Sequence, residues 1–244
     1  MPRDLTTAQA DLPLLNARFA GKPAEAVLAH ALSGALGRVA MVSSFGADSA
    51  VLLHLLARID RATPVLFIDT LMLFPETLAY QRDLAAALGL TDVRVIRPDR
   101  RALFAGDTDA LLHRADPDAC CELRKARPLA QALAGFDGWI TGRKRFQGRA
   151  RAEMALFEHE PGAARVKVNP LAGWDARALG AYMDRHALPR HPLVARGFPS
   201  IGCAPCTGPA APGEDPRAGR WRGQDKTECG IHLVNGRIER RRAS

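Results

Sequence analysis

The chain has 244 residues, 47% of them hydrophobic, and a formal net charge of +8. This length suits one large domain with a sizeable core; no apolar run is long enough to span a membrane, and the acid-bearing opening MPRDLTTAQADLPLL lacks a signal peptide's apolar stretch, so the sequence reads as cytoplasmic. The positive charge asks for an anionic partner, yet an aromatic fraction of 6% leaves too few rings to stack bases, which argues against binding single-stranded nucleic acid.

Residues 6–20 and 23–36 read as Ala- and Leu-rich helices, the second opened by Pro23. RVAMVS (38–43) is a short apolar run of the kind a buried parallel strand shows. ADSAVLLHLLARI (47–59) follows as a helix with Asp48 or Ser49 near its first turn, then PVLFID (64–69) as a second strand. PETLAYQRDLAAALG (75–89) has Pro75 at its start and Gly89 at its end, as a helix should. DVRVIRP (92–98) is a third strand, CELRKARPLAQALA (121–134) a helix around Pro128, GWITG (138–142) a fourth strand and RVKVNP (165–170) a fifth. Strands alternating with helices predict an α/β fold with an open, mostly parallel sheet and helices on both faces. Residues 1–195 make up this domain. Residues 196–244 belong to the same unit; their Gly-, Pro-, Cys- and Arg-rich part has no periodicity and reads as a functional loop and mobile tail, or as disorder.

The first strand runs into SSFGADSA (43–50), a Ser- and Gly-bearing turn at a helix start. Backbone N–H groups there can hold a phosphate, and the hydroxyls of Ser43, Ser44 and Ser49 add donors. FIDT (67–70) ends the second strand and faces the same crevice, beyond the carboxyl ends of the strands. A plain capped turn is the alternative, and no Gly-Lys-Ser/Thr marks a Walker loop.

Five cysteines in such a chain are expected to be reduced, and clustered ones point to a metal or redox group. Neighbouring Cα atoms lie about 3.8 Å apart, whereas an unstrained disulfide wants roughly 4.4–6.8 Å. Cys120 and Cys121 therefore look toward something else. With Cys203 and Cys206 of CAPC they make four thiolates in two pairs. Zinc usually takes two spaced pairs; the adjacent pair makes an iron–sulfur cluster the stronger candidate. Unrelated thiols, or a redox-active CAPC alone, are the alternatives. Cys229 stands outside both pairs, in KTECGIH (226–232), beside Lys226 and His232. It is a candidate nucleophile, an incidental thiol being the alternative.

At this point the chain resembles a family, the assimilatory sulfonucleotide reductases, in the branch that reduces adenosine 5′-phosphosulfate (APS) with thioredoxin. The matching stretches are SSFGADSAVLLHL, FIDTLMLFPET, CCELRKARPL, WITGRKRFQGRARA, KVNPLAGW, HPLVARGFPSIGCAPCT, RAGRW and KTECGIH, in that order from about residue 40 to 232. The resemblance implies an adenine nucleotide α-hydrolase-like fold related to the ATP pyrophosphatases. It implies that Cys120, Cys121, Cys203 and Cys206 hold a [4Fe–4S] cluster. The branch that reduces the 3′-phosphorylated substrate (PAPS) generally lacks these cysteines, although the loop SSFGADSAV resembles both branches. Phe146 stands where many relatives carry an acid.

The same resemblance implies that Ser43, Ser44, Gly46 and Ser49 line the nucleotide site, with backbone near Phe67 and Ile68 at the adenine. Lys125, Arg151, Arg217 and Arg220 would contact the phosphosulfate; Arg143, Lys144 and Arg145 would add to the field. His232 would orient the tail or the substrate. Cys229 would attack the sulfur of APS, expelling AMP, and reduced thioredoxin would then release sulfite. The implied partners are APS, AMP, thioredoxin and further copies of the chain in a homo-oligomer, with no membrane and no nucleic acid. The rival readings are a PAPS reductase, an ATP pyrophosphatase-type adenylating enzyme, and a nucleic-acid-binding iron–sulfur sensor. The Ser-Gly-Gly loop of the second and a helix-turn-helix pattern for the third are both absent from the sequence.

Overall fold

The structure, a computed structural model, describes residues 11–148, 151–160, 162–224, 226 and 228. Its centre is a six-stranded sheet: β1 (Val39–Ser43), β2 (Val65–Ile68), β3 (Val93–Ile96), β4 (Gly138–Ile140), β5 (Phe157–His159) and β6 (Val166–Val168), in the order β3-β2-β1-β4-β6-β5. All neighbours are parallel except β5 and β6. Among the described residues the helices are α1 (Leu12–Phe19), α2 (Ala24–Leu32), α3 (Ser49–Ala57), α4 (Pro75–Leu88), α5 (Arg100–Gly106), α6 (Leu112–Ala115), α7 (Pro117–Cys121), α8 (Arg127–Ala132) and α9 (Ala176–Arg185).

The strand sequences explain the layering. β1 is buried along its whole length, so it needs apolar side chains on both faces. Val39 and Met41 join the larger core with Val65 and Phe67, beneath α2, α3 and α4. Ala40 and Val42 point the other way, with Leu66 and Ile68, onto Leu129, Leu133, Phe136 and Trp139. This is the two-residue alternation of a strand, used here to make two cores.

The expected helices at 47–59 and 75–89 are present as α3 and α4. Pro75 opens α4, and Gly89 closes it in the left-handed conformation at φ 65°. The helix expected at 121–134 differs. It begins earlier, as α7, and passes through a π-helical turn at Glu122–Ala126 before α8. Pro128 supplies the reason: its ring clashes with the carbonyl four residues back in an α-helix, and the wider π turn relieves that contact. Sequence patterning missed β5, a three-residue antiparallel strand at the sheet edge. Asn16 of α1 covers it, with Nδ2 donating to Phe157 O at 2.8 Å and Oδ1 accepting from Phe157 N at 3.0 Å.

Strands β2 and β3 lie to one side of β1 and β4 lies to the other, so the order in which strands are added reverses between β1 and β4 while they stay parallel. Ligands of open α/β sheets bind beyond the carboxyl ends of the strands at such a point. The aperiodic stretch near the end of the described chain packs there. Leu73 and Cys203 form an antiparallel bridge, as do Thr207 and Arg220. Ala204 N donates to Met72 O at 2.7 Å, and Gly208 N to Gly219 O at 2.8 Å. No described helix is long and apolar enough to cross a membrane.

Candidate active site

The turn after β1 is tightly drawn. Ser43 Oγ accepts from Phe45 N at 3.2 Å, and Phe45 sits at φ 46°, which a non-glycine residue adopts only under constraint. The constraint is its ring, fully buried and edge-on to Phe67 at 5.3 Å. Asp48 does not cap α3 with its side chain. Its carboxylate instead accepts from Lys144 Nζ at 3.1 Å, tying the turn after β1 to the loop after β4. Burial pulls the Lys144 pKa below its ordinary value, and Asp48 opposes that shift.

The loop after β4 supplies further cations. Arg143 is buried; its Nη2 donates to Asn169 Oδ1 at 3.1 Å and pairs with Glu158. Arg151 is engaged at all three guanidinium nitrogens. Nε donates to Glu228 Oε1 at 2.7 Å, Nη2 to Glu228 Oε2 at 2.6 Å and Nη1 to Gln147 Oε1 at 2.7 Å. Arg217 Nη2 lies 3.6 Å from the same Glu228 carboxylate. Arg220 stacks on Trp221, its guanidinium carbon 4.4 Å from the ring centroid. Its other side lies against Gly202, where a Cβ would come within 2.6 Å of Arg220 Cζ.

These loops enclose a cavity of about 250 Å³. Ser43, Ser44, Gly46 and Ser49 line it at the β1 turn, Lys125 beyond α7, Arg143 and Arg151 from the β4 side, and Arg217 and Arg220 from the late loop. The sequence-selected binding residues within the described part therefore meet one cavity, except Arg145, whose Nε donates to Met154 O at 2.9 Å, and Phe67, whose ring is buried in the core. Ile68 and Thr70 line it too. Cys229 and His232 lie outside the described residues. Three cavity groups escaped the sequence reading: Asp48 as an ion-pair partner, Gln147, and Glu228. Glu228 had one available signal, a lone acid next to the proposed nucleophile in an otherwise basic motif.

Beside the cavity, Cys120, Cys121 and Cys203 are buried and Cys206 is half-buried, all with free thiols. Thr70 Oγ1 lies 3.2 Å from Cys203 Sγ. Burial pushes the Cys120 thiol up to about 11, against the pull of Arg124 and with help from Cys203 and Cys206 across from it. Burial also raises Cys206, while Lys125, Arg220 and Lys226 act in the opposite sense. Cys120 thus feels both thiols of the second pair, and cations act on each pair. Among the described residues no three His, Cys, Asp or Glu side chains converge on a single-ion site. A cluster of several irons takes wider-set sulfurs than one zinc ion at about 2.3 Å per bond.

The surroundings present donors that have no acceptor among the described residues. Thr207 Oγ1, Arg220 Nε and Trp221 Nε1 are buried donors without a hydrogen-bond partner. Such groups are costly unless something accepts from them. Cluster and cysteine sulfurs are acceptors of this kind, so the residues present fit an iron–sulfur group. Arg124 anchors the segment after the cysteine pair. Its Nε donates to Asp107 Oδ2 at 2.8 Å, its Nη2 to the same atom at 2.5 Å and its Nη1 to Thr70 O at 3.0 Å.

Comparison with known proteins gives consistent matches. Residues 38–209 match the Phosphoadenosine phosphosulfate reductase domain. An adenosine 5′-phosphosulfate reductase of Mesorhizobium japonicum is 52% identical over 212 residues, covering 87% of this chain and 83% of the relative. A phosphoadenosine 5′-phosphosulfate reductase of Gloeobacter violaceus is 39% identical over 214 residues, covering 85% of this chain and 88% of the relative. Among solved structures, the PAPS reductase of Candida auris in its phosphate complex superposes with a TM-score of 0.70 at 26% identity, over 82% of this chain and 97% of that one. Yeast FAD synthetase shares the fold at a TM-score of 0.54 and 16% identity, over 76% of this chain and 66% of that one.

Proposed function

The chain belongs to the phosphoadenosine phosphosulfate reductase domain family, and on that premise we propose that it reduces APS to sulfite and AMP with thioredoxin as electron donor. One observation carries the reading: the loops after β1 and β4, the segment after α7 and the late loop bring their hydroxyls and cations to a single cavity. APS is favoured over PAPS because the relatives at 52% and 49% identity are both named for APS.

The residues fit the chemistry. The nucleotide phosphate sits at the β1 turn, near the N-terminus of α3, where N–H groups and the dipole favour an anion. Lys125, Arg217 and Arg220 face the phosphosulfate and stabilise charge developing on the departing AMP. Cys229 attacks the sulfur as a thiolate. A bond forms between its sulfur and that of the substrate, the S–O bond to phosphate breaks, and AMP leaves with the electron pair. A free cysteine is only about 3% thiolate at pH 7, and the surrounding cations raise that fraction. A thioredoxin thiolate then attacks the Cys229 sulfur, sulfite departs, and the second thioredoxin thiol resolves the mixed disulfide. The dithiol supplies both electrons.

Cys120, Cys121, Cys203 and Cys206 would hold a [4Fe–4S] cluster, which when bound would fix the segment bearing Lys125 and shape the local field. The homo-oligomeric state rests on the family resemblance. The test compares kcat/KM for APS and PAPS under identical thioredoxin conditions, with sulfite as the readout. A preference for APS supports the reading, and a preference for PAPS moves the chain to the other branch. Release of pyrophosphate from ATP with no sulfite would move it to the adenylating enzymes.

A further inference from the structure

Glu228 is a carboxylate inside a cation-lined cavity, 5% exposed, and directly precedes Cys229 in the chain. Its two oxygens accept the Arg151 fork at 2.7 and 2.6 Å, with Arg217 at 3.6 Å. Two residues earlier, Lys226 is 4% exposed; its Nζ donates to Asp118 Oδ1 at 2.6 Å and to Pro117 O at 3.0 Å. The two side chains go to different partners: Lys226 to the start of the cysteine-bearing α7, Glu228 to the loop after β4. The chain is thus tied down twice, by opposite charges, just before the proposed nucleophile. Cys229 follows Glu228 at one peptide bond's remove in the sequence.

We propose that Glu228 is a positioning residue: its two-point ion pair with Arg151, seconded by Lys226 and Asp118, fixes the approach of Cys229 to the substrate. This rests on the reductase reading and gives Arg151 a new part. With all three of its nitrogens on protein oxygens, Arg151 holds the chain that delivers the thiol, while Lys125, Arg217 and Arg220 hold the anion. A carboxylate suits this task because a bidentate Arg–carboxylate pair fixes angle as well as distance. Direction matters for thiol attack, where a misplacement of about 1 Å can cost on the order of 10²-fold in rate.

Two readouts on wild type, Glu228→Gln and Glu228→Asp test it. The first is the single-turnover rate of S-sulfonation of Cys229 by APS without thioredoxin, followed by mass, with AMP affinity measured alongside. Glu228→Gln should slow adduct formation by on the order of 10²-fold with AMP affinity unchanged, and Glu228→Asp should recover part of the loss. The second is the rate at which iodoacetamide alkylates Cys229 without nucleotide, which should rise in Glu228→Gln. Wild-type rates in both readouts overturn the proposal. So does faster adduct formation, which would make Glu228 a competitor of the substrate anion, and so does loss of AMP binding in both variants, which would make the pair a fold element. If wild type itself forms no adduct, the reductase reading fails, while the alkylation rates still decide whether Glu228 confines Cys229.

Discussion

Gly202→Ala isolates the placement of one cation from the stability of the fold. A Cβ at residue 202 would lie 2.6 Å from Arg220 Cζ, far inside contact distance. The obstructing atoms are the end of a flexible side chain, so Arg220 yields and the backbone does not. Leaving its seat on Trp221 forfeits a cation–π contact of about 0.5–2 kcal/mol, which bounds the stability cost. The catalytic cost is larger. A charge-assisted donor aimed at a developing charge accounts for about 2.7–4 kcal/mol, or 10²–10³ in kcat. We therefore expect Gly202→Ala to lower kcat/KM for APS nearly as far as Arg220→Ala does, with a Tm close to wild type. Because both act through one guanidinium, their effects should not add in the double variant. The assay is sulfite release with thioredoxin for all four proteins of the cycle, beside thermal unfolding. Wild-type kinetics in Gly202→Ala, or additive losses, would refute the view that Gly202 exists to seat Arg220.

Anaerobically purified protein should be brown and hold about four irons and four sulfides per chain, and Ser at Cys120, Cys121, Cys203 or Cys206 should abolish both; stoichiometric zinc without visible absorbance would contradict this. Asp107→Asn should destabilise by about 3–5 kcal/mol, since it leaves Arg124 charged and buried without its carboxylate; denaturant unfolding at neutral pH measures it, and a change within about 0.5 kcal/mol would mean that water reaches Arg124. His191 is buried, with Nε2 3.0 Å from Thr77 Oγ1 and Nδ1 accepting from Leu193 N, and burial lowers its pKa from 6.5 to about 4. The unfolded chain takes up that proton first, so stability should fall with pH from 6.5 toward 4 by at most about 1.4 kcal/mol per pH unit. His191→Gln should show a shallower slope in that window, and an unchanged slope would clear His191 of the effect.

The sequence revealed most where chemistry and periodicity coincide. β1 and β2 stood out because a strand buried on both faces must be apolar throughout, and α4 because proline and glycine punctuate it. β5 did not, since three edge residues with one polar face carry too little pattern. Most residues that line the cavity were legible from motif resemblance, but their ion-pair partners were not. Asp48 looks like a helix cap and is bound to Lys144; Arg143 and Arg151 look like free cations and are committed to Glu158 and Glu228. Each of those pairings joins residues from 15 to 96 positions apart, and only the fold decides such partners.

The central claim is attack by the Cys229 thiol on the sulfur of APS, and peptide mass spectrometry tests it most directly. Wild-type protein mixed with APS, without thioredoxin, should gain the mass of one SO₃ group on the peptide containing Cys229 and lose it when a reduced thiol is added. Cys229→Ser should still bind AMP and release no sulfite, a hydroxyl at neutral pH being a far poorer nucleophile than a thiolate. An adduct on any other cysteine, or sulfite from the serine variant, would contradict the account.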